Sequence, residues 1–187
     1  MIKWKTCLAA ALLAASSQAW AAPILTAEAT PNPATLGSAL DVDVRIADIA
    51  DLYAYQFTLN YNANLLQAVG VLEGAFLGSA GQTFSYGGVI DNAAGSISFI
   101  FNTLVGDIPG ASGSGSLAQI RFETTGIGSA ALSFSDLVFL DSGLVDIAVD
   151  TGSLQVGVVP EPASYMLFGI GLIGAAALRR RSHAPRA

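Results

Sequence analysis

Between Ala22 and Val159 this chain contains no lysine, no histidine and no cysteine. Each absence removes a class of chemistry. Without cysteine there is no disulfide framework and no thiolate nucleophile. Without histidine, neither a Ser-His-Asp arrangement nor a histidine-ligated zinc site can be assembled, because the sole histidine, His183, lies close to the last residue. Positive charge is scarce too. Thirteen carboxylates in this stretch face only Arg45 and Arg121, a net charge of −11, where the whole chain carries −6. Such an excess repels nucleic acid and anionic lipid headgroups; it suits a protein kept soluble outside the cell, or one that attracts cations. No glycine-rich loop follows a strand and opens a helix, so no phosphate cradle is present. A hydrolase acting on polysaccharide could run on two carboxylates alone, but nothing marks a pair. The expectation is a non-enzymatic protein with no cofactor, calcium being the one ion left open.

What is present begins with the two ends. Lys3 and Lys5 give a positive start, Leu8 to Ala15 an apolar run, and Ala19-Trp20-Ala21 places small residues at the −3 and −1 positions of a cleavage site before Ala22. The run is too short to cross a bilayer, so residues 1–21 read as a signal peptide. Cys7 sits inside it, without the sequence context of a lipoprotein.

Residues 159–187 have their own three-part layout. Pro160-Glu161-Pro162 precedes an apolar segment from Ala163 to Leu178, and Arg179-Arg180-Arg181 closes it. Sixteen residues are marginal for a span, since about 20 are usual. Gly169, Gly171 and Gly174 weaken the helix further. The arginines hold the cytoplasmic side and leave the body outside. This is the layout of a temporary anchor, a short transmembrane helix held in the inner membrane before removal.

These three features in order resemble the PEP-CTERM sorting signal. The resemblance implies processing by an exosortase-type enzyme, with Pro160, Glu161, Pro162 and the three arginines as the sorting residues. It also implies a destination at the cell surface or in the extracellular matrix of a Gram-negative, exopolysaccharide-producing bacterium.

The middle, residues 22–158, alternates with period two. Val42, Val44 and Ile46 alternate with Asp41, Asp43 and Arg45; Tyr53, Tyr55, Phe57, Leu59 and Tyr61 with Ala54, Gln56, Thr58 and Asn60. Ala118, Ile120 and Phe122 repeat the pattern, as do Leu132 with Phe134 and Val145 with Ile147 and Val149. Each run is a half-buried strand. Turn residues separate them at 60–64, 86–88, 91–95 and 141–143, and the glycine-rich segment Gly106–Ser116 is expected to be a flexible loop. Many short strands without a helical period define an all-β sandwich or barrel.

Three blocks then carry a second resemblance: Leu52-Tyr53-Ala54-Tyr55-Gln56-Phe57-Thr58-Leu59-Asn60-Tyr61, Gly113 to Phe122, and Leu132-Ser133-Phe134-Ser135-Asp136. In this order and spacing they are similar to a cohesin domain, which implies a jelly-roll sandwich of about nine strands. Cohesins bind dockerin modules and are related in structure to carbohydrate-binding modules. The implied partner is a protein of dockerin type or a polysaccharide. This chain holds a single copy and no fused catalytic or dockerin segment.

Among candidate site residues, Asp136, Asp141, Asp146 and Asp150 fall close together in sequence, beside carbonyls at Ser142 and Gly143, as calcium prefers. No EF-hand spacing is present, and alternation would place Asp146 and Asp150 on one solvated strand face. Asp41 and Asp43 read as a wet face. Tyr53, Tyr55, Phe57 and Tyr61 share the period of Leu59 and read as core, which leaves Phe84 and Tyr86 as exposed rings able to stack on a sugar. Three functions follow from this reading: a displayed binding module, a structural component of the matrix without a specific pocket, or a polysaccharide hydrolase.

Overall fold

Leu40, Val42, Val44 and Ile46, and after them Leu52, Tyr55, Phe57 and Leu59, are all buried along one continuous strand that serves both layers of the protein. A computed structural model describes residues 22–161 and Ile173. The signal peptide with Ala19 and Ala21, Pro162, the rest of the apolar run 163–178 and the arginines Arg179, Arg180 and Arg181 lie outside the described residues.

In chain order the elements are β1 (Ile24–Thr30), β2 (Ala34–Thr35), β3 (Ala39–Asn60), β4 (Leu66–Glu73), α1 (Ala75–Gly78), β5 (Thr83–Tyr86), β6 (Val89–Asp91), β7 (Ser96–Leu104), β8 (Ala111–Thr124), β9 (Gly128–Asp141), β10 (Asp150–Thr151) and β11 (Leu154–Val159). Nine strands have three residues or more, and β2 and β10 have two. This is the all-β sandwich that the alternation implies. The only helix among them is a single turn, and no helix of the described residues is long and apolar enough to cross a membrane.

The first half of β3 pairs with β1 and β8, and β8 carries β4 on its other side. The second half pairs with β7 and β9, and β7 carries β5 and β6. Between the halves, Asp48 and Asp51 both sit at φ 56, and the register against β8 shifts on either side of Ile49. That bend lets one strand enter both sheets. Inward side chains of the two layers, led by Phe57, Phe122, Phe139, Leu40 and Leu52, form the core. Each such side chain contributes about 1.5–3 kcal/mol on burial.

Two expectations fail here. Only the first part of Gly106–Ser116 is a loop; from Ala111 onward it is strand β8. Ser114 Oγ accepts from the Asp48 N–H and Ser112 Oγ from the Asp51 N–H, so this glycine-serine run pairs with the bend of β3. Gly115 has no side chain because a Cβ there would meet Phe76 at 2.7 Å. The glycine marks close approach, not flexibility. Likewise Val145, Ile147 and Val149 alternate without forming a strand. Residues 142–149 are irregular apart from one bridge between Leu140 and Asp146.

Candidate binding face

On the sheet formed by β5, β7, the second half of β3 and β9, the outward residues follow from register. Phe84 pairs with Thr103, and Tyr86 with Phe101. On β7, simple alternation would bury Phe99 with Ile97. Instead Ile97 and Ile100 both face inward, and Ser98 and Phe99 both face out. Across the sheet, Phe57 pairs with Ile100 and Leu59 with Ile97, so two residues of β7 oppose Thr58 alone. This is a β-bulge, and its second residue, Phe99, takes φ 62. Gly88, itself at positive φ, lies against the bulge: a Cβ there would meet the Ser98 carbonyl oxygen at 2.5 Å.

The bulge changes the phase of the strand and delivers Phe99 beside Phe101, ring centroids 5.4 Å apart and edge to face. Phe84 and Tyr86 each lie 5.9 Å from Phe101 on the other side. Phe84, Phe99 and Tyr86 are 63, 50 and 45% exposed. A shallow hollow of about 210 Å³ next to Phe99 and Phe101 is lined also by Gln56, Val138 and Leu140. A second bulge lies on the opposite flank of Thr58. Gln56 pairs with Val138 and Thr58 with Ser135, leaving an extra residue in β9, and Asp136 takes φ 51. The face therefore has an aromatic side on β5 and β7 and a polar side on β3 and β9, where Asn60 Nδ2 donates to Ser135 Oγ at 3.0 Å.

The edge strand β5 is fixed from beneath by Glu73 at the end of β4. Thr83 Oγ1 donates to Glu73 Oε1 (2.7 Å), Asn102 Nδ2 to the same oxygen (2.8 Å) and Ser85 Oγ to Oε2 (2.9 Å). Partial burial raises the affinity of this carboxyl for a proton, but the three donors outweigh it and hold Glu73 below the ordinary glutamate value. Asn102 is buried, and its Oδ1 has no partner.

The other predicted residues lie as follows. Tyr55, Phe57 and Tyr61 are core, and Tyr53 packs partly buried against it. Phe84 and Tyr86 are exposed, as expected. Phe99 was not legible, since a bulge leaves no mark in a β-branched or aromatic run. The four aspartates are distributed. Asp136 is in the β9 bulge, and Asp141 Oδ1 accepts from the Gly143 and Val145 N–H groups. Asp146 sits in the isolated bridge and Asp150 opens β10. They do not share a strand face, and no group of three or more His, Cys, Asp or Glu side chains able to hold a metal exists among the described residues. Asp41 is bound twice by Arg121, at 2.8 and 3.1 Å, which lowers its pKa, and Asp43 pairs with Arg45 at 2.9 Å and accepts from Ser116. Asp41, Asp43 and Arg121 line a groove of about 580 Å³, larger than the hollow beside Phe99, on the outer face of the other sheet. Size favours that groove, but its cationic group is already paired within it. Exposed Val69 and Leu72 give that groove an apolar rim, whereas the aromatic face gathers three exposed rings, Phe84, Tyr86 and Phe99.

A sandwich that gathers exposed aromatic rings on one sheet presents a contiguous apolar surface of the kind that interaction sites use. The chain belongs to the cohesin family: the model of the cohesin domain matches residues 26–156, and that of the PEP-CTERM protein-sorting motif matches residues 158–181. No curated protein shows significant similarity to the sequence. Among solved structures, the non-cellulosomal cohesin of the hyperthermophilic archaeon Archaeoglobus fulgidus is 21% identical, covers 78% of this chain and 97% of its own, and superposes with a TM-score of 0.58. The second type II cohesin module of the ScaA scaffoldin of Acetivibrio cellulolyticus gives 17% identity, 74 and 98% coverage and a TM-score of 0.63. A type I cohesin–dockerin complex of Clostridium thermocellum gives 11%, 74 and 94%, and 0.59. At these identities the likeness is one of fold. Membership of the cohesin family and the PEP-CTERM sorting motif together make the chain a surface-sorted binding module of a Gram-negative bacterium.

Proposed function

We propose that this cohesin-family module binds a protein partner of dockerin type through the outer face of β5, β7, β3 and β9, after sorting by an exosortase-type enzyme. The observation that carries the reading is Phe99. A non-glycine residue at positive φ costs roughly 1–2 kcal/mol, and here the cost places an apolar ring in solvent. The ring packs edge to face on Phe101 yet stays half exposed, so a partner that covers it adds buried apolar area to a position already held in place. Solved relatives include cohesins in complex with dockerins, which favours a protein over other ligands.

Before display, the apolar run 163–178 holds the chain in the inner membrane as an intermediate, and cleavage near Pro162 releases the body to the surface or matrix. The module acts by binding and not by catalysis. A polysaccharide ligand is the second reading, supported by the exposed rings of Phe84 and Tyr86, which can stack on sugar faces. Calorimetric titration of the body with dockerin modules encoded in the same genome, and in parallel with the matrix polysaccharide, tests both. A stoichiometric complex lost in a Phe99 variant supports the first; binding to polysaccharide alone supports the second.

A further inference from the structure

The last backbone group that the fold holds is the Val159 carbonyl, which accepts from the Leu36 N–H at 2.8 Å, and the sorting motif, matched over residues 158–181, already overlaps it. No linker separates body from tail. From Val159 to Ala163 the chain reaches at most about 14 Å. The headgroup layer takes about 5–7 Å of that. Whatever surface surrounds Val159 therefore lies within about a Debye length, 8–10 Å, of the lipid headgroups.

That surface is one pole of the sandwich, formed by residues 31–38, 61–65, 92–95 and 125–127. Backbone hydrogen bonds tie it together: Gly37 N–H to Thr124, Thr125 N–H to Leu65 and Tyr61 N–H to Gly95. None of these twenty positions is charged. The opposite pole, at the other end of β8 some 40 Å away at about 3.3 Å per residue, carries Asp48, Asp51, Asp107 and Asp146. In a body of net charge −11, the end that must approach anionic lipid is poor in carboxylates: Asp91, whose Oδ1 is taken up by the Ala93 and Ala94 N–H groups, and Glu123 lie at its margin, and Glu161 follows in the tail. Ile127, 56% exposed, and Val159, 40% exposed, give it an apolar crown.

We propose that this uncharged pole is a membrane-facing surface, seated on the phospholipid headgroups while the tail is anchored; the inference rests on the membrane-held intermediate proposed above. Seating orients the sandwich with its strands upright, its acidic pole farthest from the bilayer and its aromatic face turned sideways, open to a partner before release.

Residues 22–187 contain no tryptophan, so a single introduced indole reports its own surroundings. The mature chain carrying I127W or, at the far pole, V145W is reconstituted into phosphatidylethanolamine–phosphatidylglycerol vesicles containing headgroup-labelled quencher lipid. Both native residues are exposed, so neither change disturbs the core. The I127W indole should be quenched several-fold more strongly than the V145W indole and shift to the blue. Equal or reversed quenching in a chain that floats with the vesicles overturns the membrane-facing pole alone. A chain that does not float contradicts the membrane-held intermediate and the pole with it. Quenching of I127W only in native inner-membrane vesicles, and not in pure lipid, would assign the pole to a membrane protein instead of lipid.

Discussion

Ile97 and Phe99 lie two residues apart in one strand yet on opposite faces of the sheet, Ile97 fully buried and Phe99 half exposed. In a regular strand they would share a face. The inserted residue that separates them turns a core position into a surface one, and the molecule's aromatic face depends on it.

Replacing Phe99 with glycine tests this directly. Glycine relieves the positive φ, worth roughly 1–2 kcal/mol, and loses about 0.5–1 kcal/mol of chain entropy on folding. F99G is therefore expected to melt within about 1 kcal/mol of the wild type. Partner affinity should fall by about 2 kcal/mol or more, roughly thirtyfold, as for an aromatic hot spot. Thermal denaturation and calorimetric binding, run together, check the two halves. A variant much less stable than the wild type would show that Phe99 serves the fold.

Glu73 makes the aromatic edge sensitive to acid. Its folded pKa lies below the unfolded value, so its contribution is fully present above the ordinary glutamate range, near 4.3, and is lost as pH falls through the depressed value. Hydrogen exchange of β5 should speed up below about pH 4 in the wild type. E73Q, which does not titrate, should remove that dependence, while E73A should cost about 1–3 kcal/mol by leaving the buried Asn102 amide without an acceptor.

Thr124 ties down the uncharged pole. It is buried, its Oγ1 lies 2.7 Å from the Thr35 carbonyl oxygen, and it accepts from the Ser38 N–H at 3.1 Å. T124V keeps the shape and removes both bonds. A loss of about 1–3 kcal/mol in denaturant unfolding is expected, with faster exchange in residues 35–38.

Millimolar calcium should leave the melting temperature unchanged, because a ligand stabilises only through a site present in the folded state. Asp141, the best placed of the four aspartates, already serves the turn that follows it. A rise in melting temperature that D141A abolishes would reinstate the site.

Much of this was legible in the sequence, and the failures share a cause. Alternation located β3, β8 and β9 because each buries one face, and the tail was legible because charge and hydropathy act without tertiary context. Phase changes were not legible. Phe99 and Asp136 look like ordinary strand residues, and only the register of β3 around Phe57 and Thr58 shows that β7 and β9 each carry an extra residue. The serine-glycine start of β8 read as a loop because its partner, the bend at Asp48 and Asp51, is itself invisible as a pattern. Val145, Ile147 and Val149 alternate, but Asp141 captures the chain into a turn and no neighbouring strand receives them beyond one bridge.

Processing of the tail has a simple readout. Mass spectrometry of external protein should find chains ending near Pro162, and alanine at Glu161 and Pro162 should leave full-length protein in the inner membrane. External protein that still carries Leu178 and the arginines would make the tail a permanent anchor.

The central claim is that the β5-β7-β3-β9 face meets a protein. The most direct measurement places a photo-crosslinking phenylalanine at position 99 of the displayed protein in its own cells, with position 119 on the other sheet as control. One discrete protein adduct from position 99, absent from position 119, is the predicted result. Adducts from position 119 alone, or none from position 99, would contradict the account.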